Sequence, residues 1–202
     1  MDSRPAPLPR RILLLGVPLI LGALELGHPG LWPGDDIVAT VAPMAAWWTA
    51  LHVLQVPLFA LLGVAAFLLV RGLPGRAALI GRCAIGLFIV VHPAFDAAVG
   101  ISSGVLLQAL GSDQGTALEP ALQTLFWGPV TGLMAIVGSA SWLVALLATA
   151  WARRRTGTPL PACGLLALSG VLLGISHVRP FGPLACLCFL GGAALIEFRP
   201  AE

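Results

Sequence analysis

Val90-Val91-His92-Pro93-Ala94-Phe95-Asp96-Ala97-Ala98-Val99-Gly100 sets a histidine, a proline and a carboxylate inside a long apolar run. Ionisable groups inside apolar spans are costly and rare, so each marks a candidate site. His92 and Asp96 are four residues apart and share one face of a helix. Pro93 removes a backbone donor and kinks the helix at that point.

The composition around this stretch fixes the solvent. Mean hydropathy is +0.95, and 58% of residues are hydrophobic while 10% are charged; soluble domains carry about 25% charged residues. Such a chain cannot present a wet surface over most of its area, so lipid is its expected partner. The net charge of +2 is small and spread out, which argues against nucleic acid. Lysine, asparagine and tyrosine are absent; all three have AT-rich codons, and their absence points to a GC-rich genome.

The fold class expected is all-α: a single transmembrane domain, 1–202, of about six helices. The breaks place them at about 12–28, 44–70, 77–104, 125–151, 160–176 and 183–198. The segment from Ile12 follows a basic, proline-broken start and has a poor cleavage motif, with Glu25 and bulky leucines where small residues belong; a retained helix is expected rather than a cleaved signal. Ile37 to Ala42 is too short to span and reads as an interfacial piece, with Pro43 opening the second helix. Trp47-Trp48 suits the headgroup boundary. The third apolar run reaches Leu110, longer than the bilayer core, and Gly100-Ile-Ser-Ser-Gly104 reads as its break. Gly111 to Gln123 reads as a polar loop.

Orientation follows from arginine. With alternating crossings, Arg4, Arg10, Arg11, Arg71, Arg76, Arg82, Arg153, Arg154, Arg155 and Arg199 share one side, and Arg179 alone takes the other. This positive-inside bias puts both termini in the cytoplasm of a bacterial inner-membrane protein. The loops holding Asp35, Asp36, Asp113 and Glu119 then face outward.

The same threading brings the polar residues to the outer half. The candidate pocket is His52, Gln55, His92 and Asp96, with Glu25, His28, Ser103 and His177 in support. His52 and His92 are the best candidates for a metal, a haem or a proton, and Asp96 could orient His92. Each of these residues could instead join helices by hydrogen bonds, the commoner use of polar groups in membranes. Glu25-Leu-Gly-His28 has the Glu-x-x-His spacing of di-iron bundles, but those require two such motifs and further glutamates. Cys186 and Cys188 are two apart on a helix and diverge, so the four cysteines read as small apolar residues. Gly100/Gly104 and Gly170/Gly174 would let a helix of a second copy approach closely.

Nucleophile elbows, Walker loops and dinucleotide fingerprints are absent, and no cofactor is specified. Three functions fit: a bundle or accessory subunit of unassigned activity with an outer His/Asp pocket, a small transporter or channel component, and a metal- or haem-dependent membrane enzyme. The threading itself is testable. Cysteines placed within Gly111 to Gln123 and within Thr156 to Thr158 should label from opposite sides of the membrane; the same side for both overturns it.

Overall fold

A computed structural model describes residues 8–198, side chains of 112–116 excepted. Arg4 and Arg199 lie outside these residues, and the side chain of Asp113 is not described. The described chain is all-helical, with no strand.

Helix α1 runs over 8–26 with a π-helical turn at Ile12–Gly16, one residue before the Val17-Pro18 step. Helix α2 covers Ile37–Val70, α3 Arg76–Gly111 and α4 Glu119–Arg155, and these three are long and apolar enough to cross a membrane. Two shorter apolar helices follow, α5 at Leu160–Ile175 and α6 at Phe181–Glu197. Each helix packs on the next in the chain, and α6 returns to α1, so the six close into a ring.

The breaks have local causes. Gly72 and Gly75 take positive φ in the turn between α2 and α3, a conformation that costs glycine little. Gly128 is extended (ψ 166°) because it precedes Pro129, whose ring disfavours helical geometry at the residue before it. Helix α4 is therefore bent there rather than continuous.

Three expectations change. The Ile37 segment is the first turn of α2, not a separate piece: Asp36 Oδ1 accepts from Ala39 N at 2.8 Å, and Glu119 accepts from Ile37 N (3.1 Å) and Val38 N (2.9 Å). A carboxylate from another helix thus satisfies amides that a helix start leaves unpaired. The expected break at Gly100–Gly104 is instead a π-helical turn, Ala97–Ile101, through which α3 continues. The expected loop at Gly111 to Gln123 is largely helical: Gly111, at φ 69°, interrupts the path, and helix resumes at Glu119.

At about 1.5 Å per residue, α2, α3 and α4 are each roughly 50 Å long against a bilayer core of ~30 Å. Their excess forms a second, smaller core of Ile37, Val41, Val99, Leu107, Leu122 and Phe126. This cap sits at one end of the main core, where Phe59, Phe88, Trp142 and Phe189 are fully buried. The opposite end gathers the arginines. There Arg10 Nε donates to Glu197 at 2.9 Å, Arg153 Nε to Leu69 O at 2.6 Å, and Arg82 Nη1 to Leu73 O at 3.0 Å.

The outside of the ring is apolar: Val130, Leu133, Ile136 and Val90 are all more than 60% exposed. The glycine pairs read as faces for a second copy are used within the chain. Gly100 lies against His52 and Gly104 against Thr49, while Gly170 and Gly174 lie against Leu143 of α4. Of the cysteines, Cys163 and Cys186 are buried as expected, whereas Cys83 is exposed. Phe189→Ala, which empties the centre of the ring, should destabilise the detergent-solubilised protein by about 3–5 kcal/mol. Leu133→Ala, on the outer face, should leave thermal unfolding nearly unchanged, and equal effects would contradict this assignment of inside and outside.

Candidate functional site

The capped end of the ring collects all four histidines. His28 follows α1, His52 is on α2, His92 and Asp96 are on α3, and His177 follows α5. The His28 ring centroid lies 5.1 Å from that of His52 and 5.2 Å from that of His177; His92 is 5.7 Å from His177. His28, His52, His92 and Asp96 are each 3% exposed or less. Around them is a cavity of about 390 Å³, its walls completed by Trp48, Phe95 and Phe126 and its mouth by Trp32 and Trp127.

Hydrogen bonding fixes two of the imidazoles. His52 Nδ1 lies 2.7 Å from Trp48 O, and His28 Nδ1 lies 2.7 Å from Pro29 O. A carbonyl only accepts, so each Nδ1 carries its proton and donates it. The Nε2 of each neutral ring then presents a lone pair. His28 Nε2 has no hydrogen-bond partner, and His52 Nε2 faces Asp96 Oδ1 across 3.9 Å. His177 Nε2 approaches the same oxygen at 4.0 Å.

Asp96 is therefore not the partner of His92, although four residues on one helix suggested it. The His92 ring stacks on Phe88 at 5.0 Å and meets Phe59 edge-on at 4.5 Å, and neither of its nitrogens is paired. Gln55 and Glu25 form a pair of their own, Gln55 Nε2 donating to Glu25 Oε1 at 2.5 Å and leaving Glu25 Oε2 unpartnered. Ser103 donates to Gly100 O at 3.1 Å and accepts from Trp48 Nε1 at 3.1 Å. It supports the site through Trp48 and touches neither His92 nor Asp96.

Several residues central to the arrangement were not singled out by sequence. Trp48, expected at the headgroup boundary, is 2% exposed and packs on His52 at 4.4 Å. Its indole also donates to Gly100 O at 2.8 Å. Glycines admit the imidazoles: Gly100 lies directly under the His52 ring, and a Cβ at Gly138 would stand 3.1 Å from His92 Nδ1. Gly182 instead sits against the backbone carbonyl of His177, at the turn that leads into α6. Trp48 was findable from its four-residue spacing to His52; Gly100 and Gly138 were not, because each acts across helices.

Among the described residues, no group of three or more His, Cys, Asp or Glu side chains is placed to hold a metal ion. The site is an open set of donors. No family model, curated protein or solved structure matches the chain, so its chemistry is read from the site alone.

His28 and His177 lie in connections rather than in spans, and burial dominates both. It holds the His28 imidazole down at about 3, from an ordinary 6.5, with the neighbouring His52 adding to the effect. Burial, then the charges of His28, His92 and His52 should they protonate, holds His177 well below 6.5 as well. Both rings are neutral at pH 7. Above pH 6.5 neither folded nor unfolded chain protonates them, so they add no pH dependence. Below it the unfolded chain binds protons that the folded chain refuses, and folding stability falls by up to about 1.4 kcal/mol per pH unit for each ring. Thermal stability in detergent should therefore be level from pH 8 to 7 and decline from pH 6.5 to 5. His28→Gln should make the decline shallower; an identical slope would mean that His28 is not held neutral by burial.

Proposed function

We propose that the protein is a multi-pass inner-membrane protein of a bacterial cell, with six spans and both termini cytoplasmic. Its functional centre is an extracytoplasmic-half pocket that binds a ligand through imidazole and carboxylate groups. The observation that carries this reading is the presence of two buried imidazoles, each held by a backbone carbonyl, His28 with its Nε2 unpaired and His52 with its Nε2 3.9 Å from the buried carboxylate of Asp96. A packing role alone would satisfy such groups, because an unpaired buried polar atom costs about 1–3 kcal/mol. Here Glu25, His28, His92 and Asp96 each leave at least one buried atom unpaired.

The threading is supported by the ten-to-one arginine division and by the gathering of Arg10, Arg82 and Arg153 at the end remote from the histidines. Helices α5 and α6, at 16 and 17 residues, are at the short limit for a crossing, which tilt or local thinning accommodates. The apolar outer face suits lipid.

A binding pocket is favoured over a transport path by what lies beneath the histidines. Phe59, Phe88, Trp142 and Phe189 fill the ring below them and are fully buried. A pathway needs polar or water-filled continuity to the other side, and this aromatic floor interrupts it. Trp32 and Trp127, which line the cavity, are 46% and 40% exposed, so the cavity communicates with the capped surface.

In a variant without native cysteines, Ser176→Cys, at the cavity wall, should react with a membrane-impermeant maleimide added outside intact spheroplasts. Thr156→Cys should react only after lysis. Protection of Ser176→Cys until lysis would overturn the outward-facing pocket.

A further inference from the structure

We propose that the ligand of this pocket is a small organic ammonium ion, a primary amine with an uncharged apolar body, its nitrogen seated between Asp96 and the Nε2 atoms of His52 and His177. The inference rests on the pocket reading above and gives its ligand a chemical class. Asp96 carries the argument. Among the described residues it is the one carboxylate that lines the cavity, and no arginine lines the cavity to pair with it. A buried charge without a partner is costly, so such a lining is completed by a cation. Glu25, the other carboxyl group at this end, is taken up by Gln55. The charge of Arg179 reaches His28 from outside the lining, which favours the His52 side of the cavity for a cation.

The separations suit an N–H donor as they stand. His52 Nδ1–H is committed to Trp48 O, so its Nε2 presents a lone pair, 3.9 Å from Asp96 Oδ1. His177 Nε2 is 4.0 Å from the same oxygen. Both pairs are too far apart to hydrogen-bond directly, and one nitrogen bridges that spacing. Placed about 2.8–3.0 Å from both members of a pair, it subtends roughly 80–90° between them, against ~109° for its own N–H bonds. Each hydrogen bond then stays above the ~150° that keeps it strong. Three donors and no acceptor make up an ammonium group. They meet Asp96 Oδ1, His52 Nε2 and, in the tautomer protonated at Nδ1, His177 Nε2. Asp96 Oδ2, which has no hydrogen-bond partner, is a further acceptor.

The remaining walls suit the charge and the body of such an ion. Trp48 packs 4.4 Å from His52 and 6.2 Å from Phe126, and Phe95 continues the wall. Aromatic rings attract a cation through their negative faces, most strongly once it has left water. The cavity, at about 390 Å³, is far larger than an ammonium group and lies in the range of small-molecule sites. An apolar body therefore fills the space between Asp96 and the mouth at Trp32 and Trp127. An amine that also carries a phosphate or carboxylate is disfavoured, because no cationic side chain among the described lining residues would meet the second charge.

The test titrates full-length protein in detergent, by calorimetry, with primary amines from propylamine to 2-phenylethylamine and with the alcohol of each same skeleton. A hydroxyl brings one donor and no charge. At least one amine should bind saturably, at least about tenfold more tightly than its alcohol, and should raise the melting temperature. Asp96→Asn should weaken that amine at least about tenfold while leaving the alcohol nearly unchanged, and His52→Gln should weaken the amine as well. Glu197→Gln, at the arginine end of the ring, should bind as the parent does. The wild-type preference for amine over alcohol decides the matter even if a variant fails to fold. Equal binding of every amine and its alcohol, no binding of any amine, or unchanged amine affinity in folded Asp96→Asn overturns the assignment. Displacement of the amine by phosphatidylethanolamine but not by phosphatidylcholine in mixed micelles would overturn the free amine in favour of a lipid headgroup. Labelling of Ser176→Cys from outside would leave the pocket reading standing in each of those cases; its protection until lysis would end both.

Discussion

Taking an ionisable group out of water without a partner sets the terms for this fold. On the insertion scale an aspartate at a helix centre costs ~2.5–3.5 kcal/mol, and this chain carries Glu25, Asp96 and four histidines in or beside apolar helices. The ring of six helices turns those groups inward and gives the outer face to Val130, Leu133 and Ile136. Closure of α6 onto α1 matters here, because it is the α1 end that carries Glu25 and His28. An open ring would leave both at its edge.

Within the ring the polar groups are confined to one end by packing. Below His92 the space is taken by Phe59, Phe88, Trp142 and Phe189, in edge-on or tilted contacts with one another of the kind aromatic rings favour. Above the histidines, the extensions of α2, α3 and α4 fold over as a cap, tied by Glu119 to the start of α2 and by Gln123 to Asp35 O. Floor and cap between them leave a cavity whose polar wall is made of imidazoles. The helices are longer than a bilayer needs because they build that cap.

The π-helical turn at Ala97–Ile101 is the local device that aligns the site. Such turns insert a residue into an α-helix and are frequent at functional sites. Here the turn follows Asp96 directly and sets Gly100 against His52, with Gly100 O taken by Trp48 Nε1 and Ser103 Oγ. Gly100 O thus accepts from two side chains, and the indole among them belongs to the residue whose own carbonyl fixes His52. One short stretch couples the helix irregularity, the Trp48 anchor and the direction of the His52 lone pair.

By itself the sequence determined the helical class, the apolar exterior, the grouping of arginines at one end and the burial of His52, His92 and Asp96. All of these follow from composition and from spacing along single helices. It also placed the candidate polar residues at one end, since alternation of helices is enough for that. Only the tertiary structure decided the partners. Asp96 faces His52 and His177 rather than His92, because ring closure brings α2 and the end of α5 against α3 while His92 stacks on Phe88 and meets Phe59 edge-on. Trp48 moved from an expected interface to the centre of the site, and Gly100 and Gly138 gained their meaning from rings on other helices. Local physics reads one helix at a time; which donors share a cavity depends on contacts between residues distant in sequence, and no spacing rule encodes those.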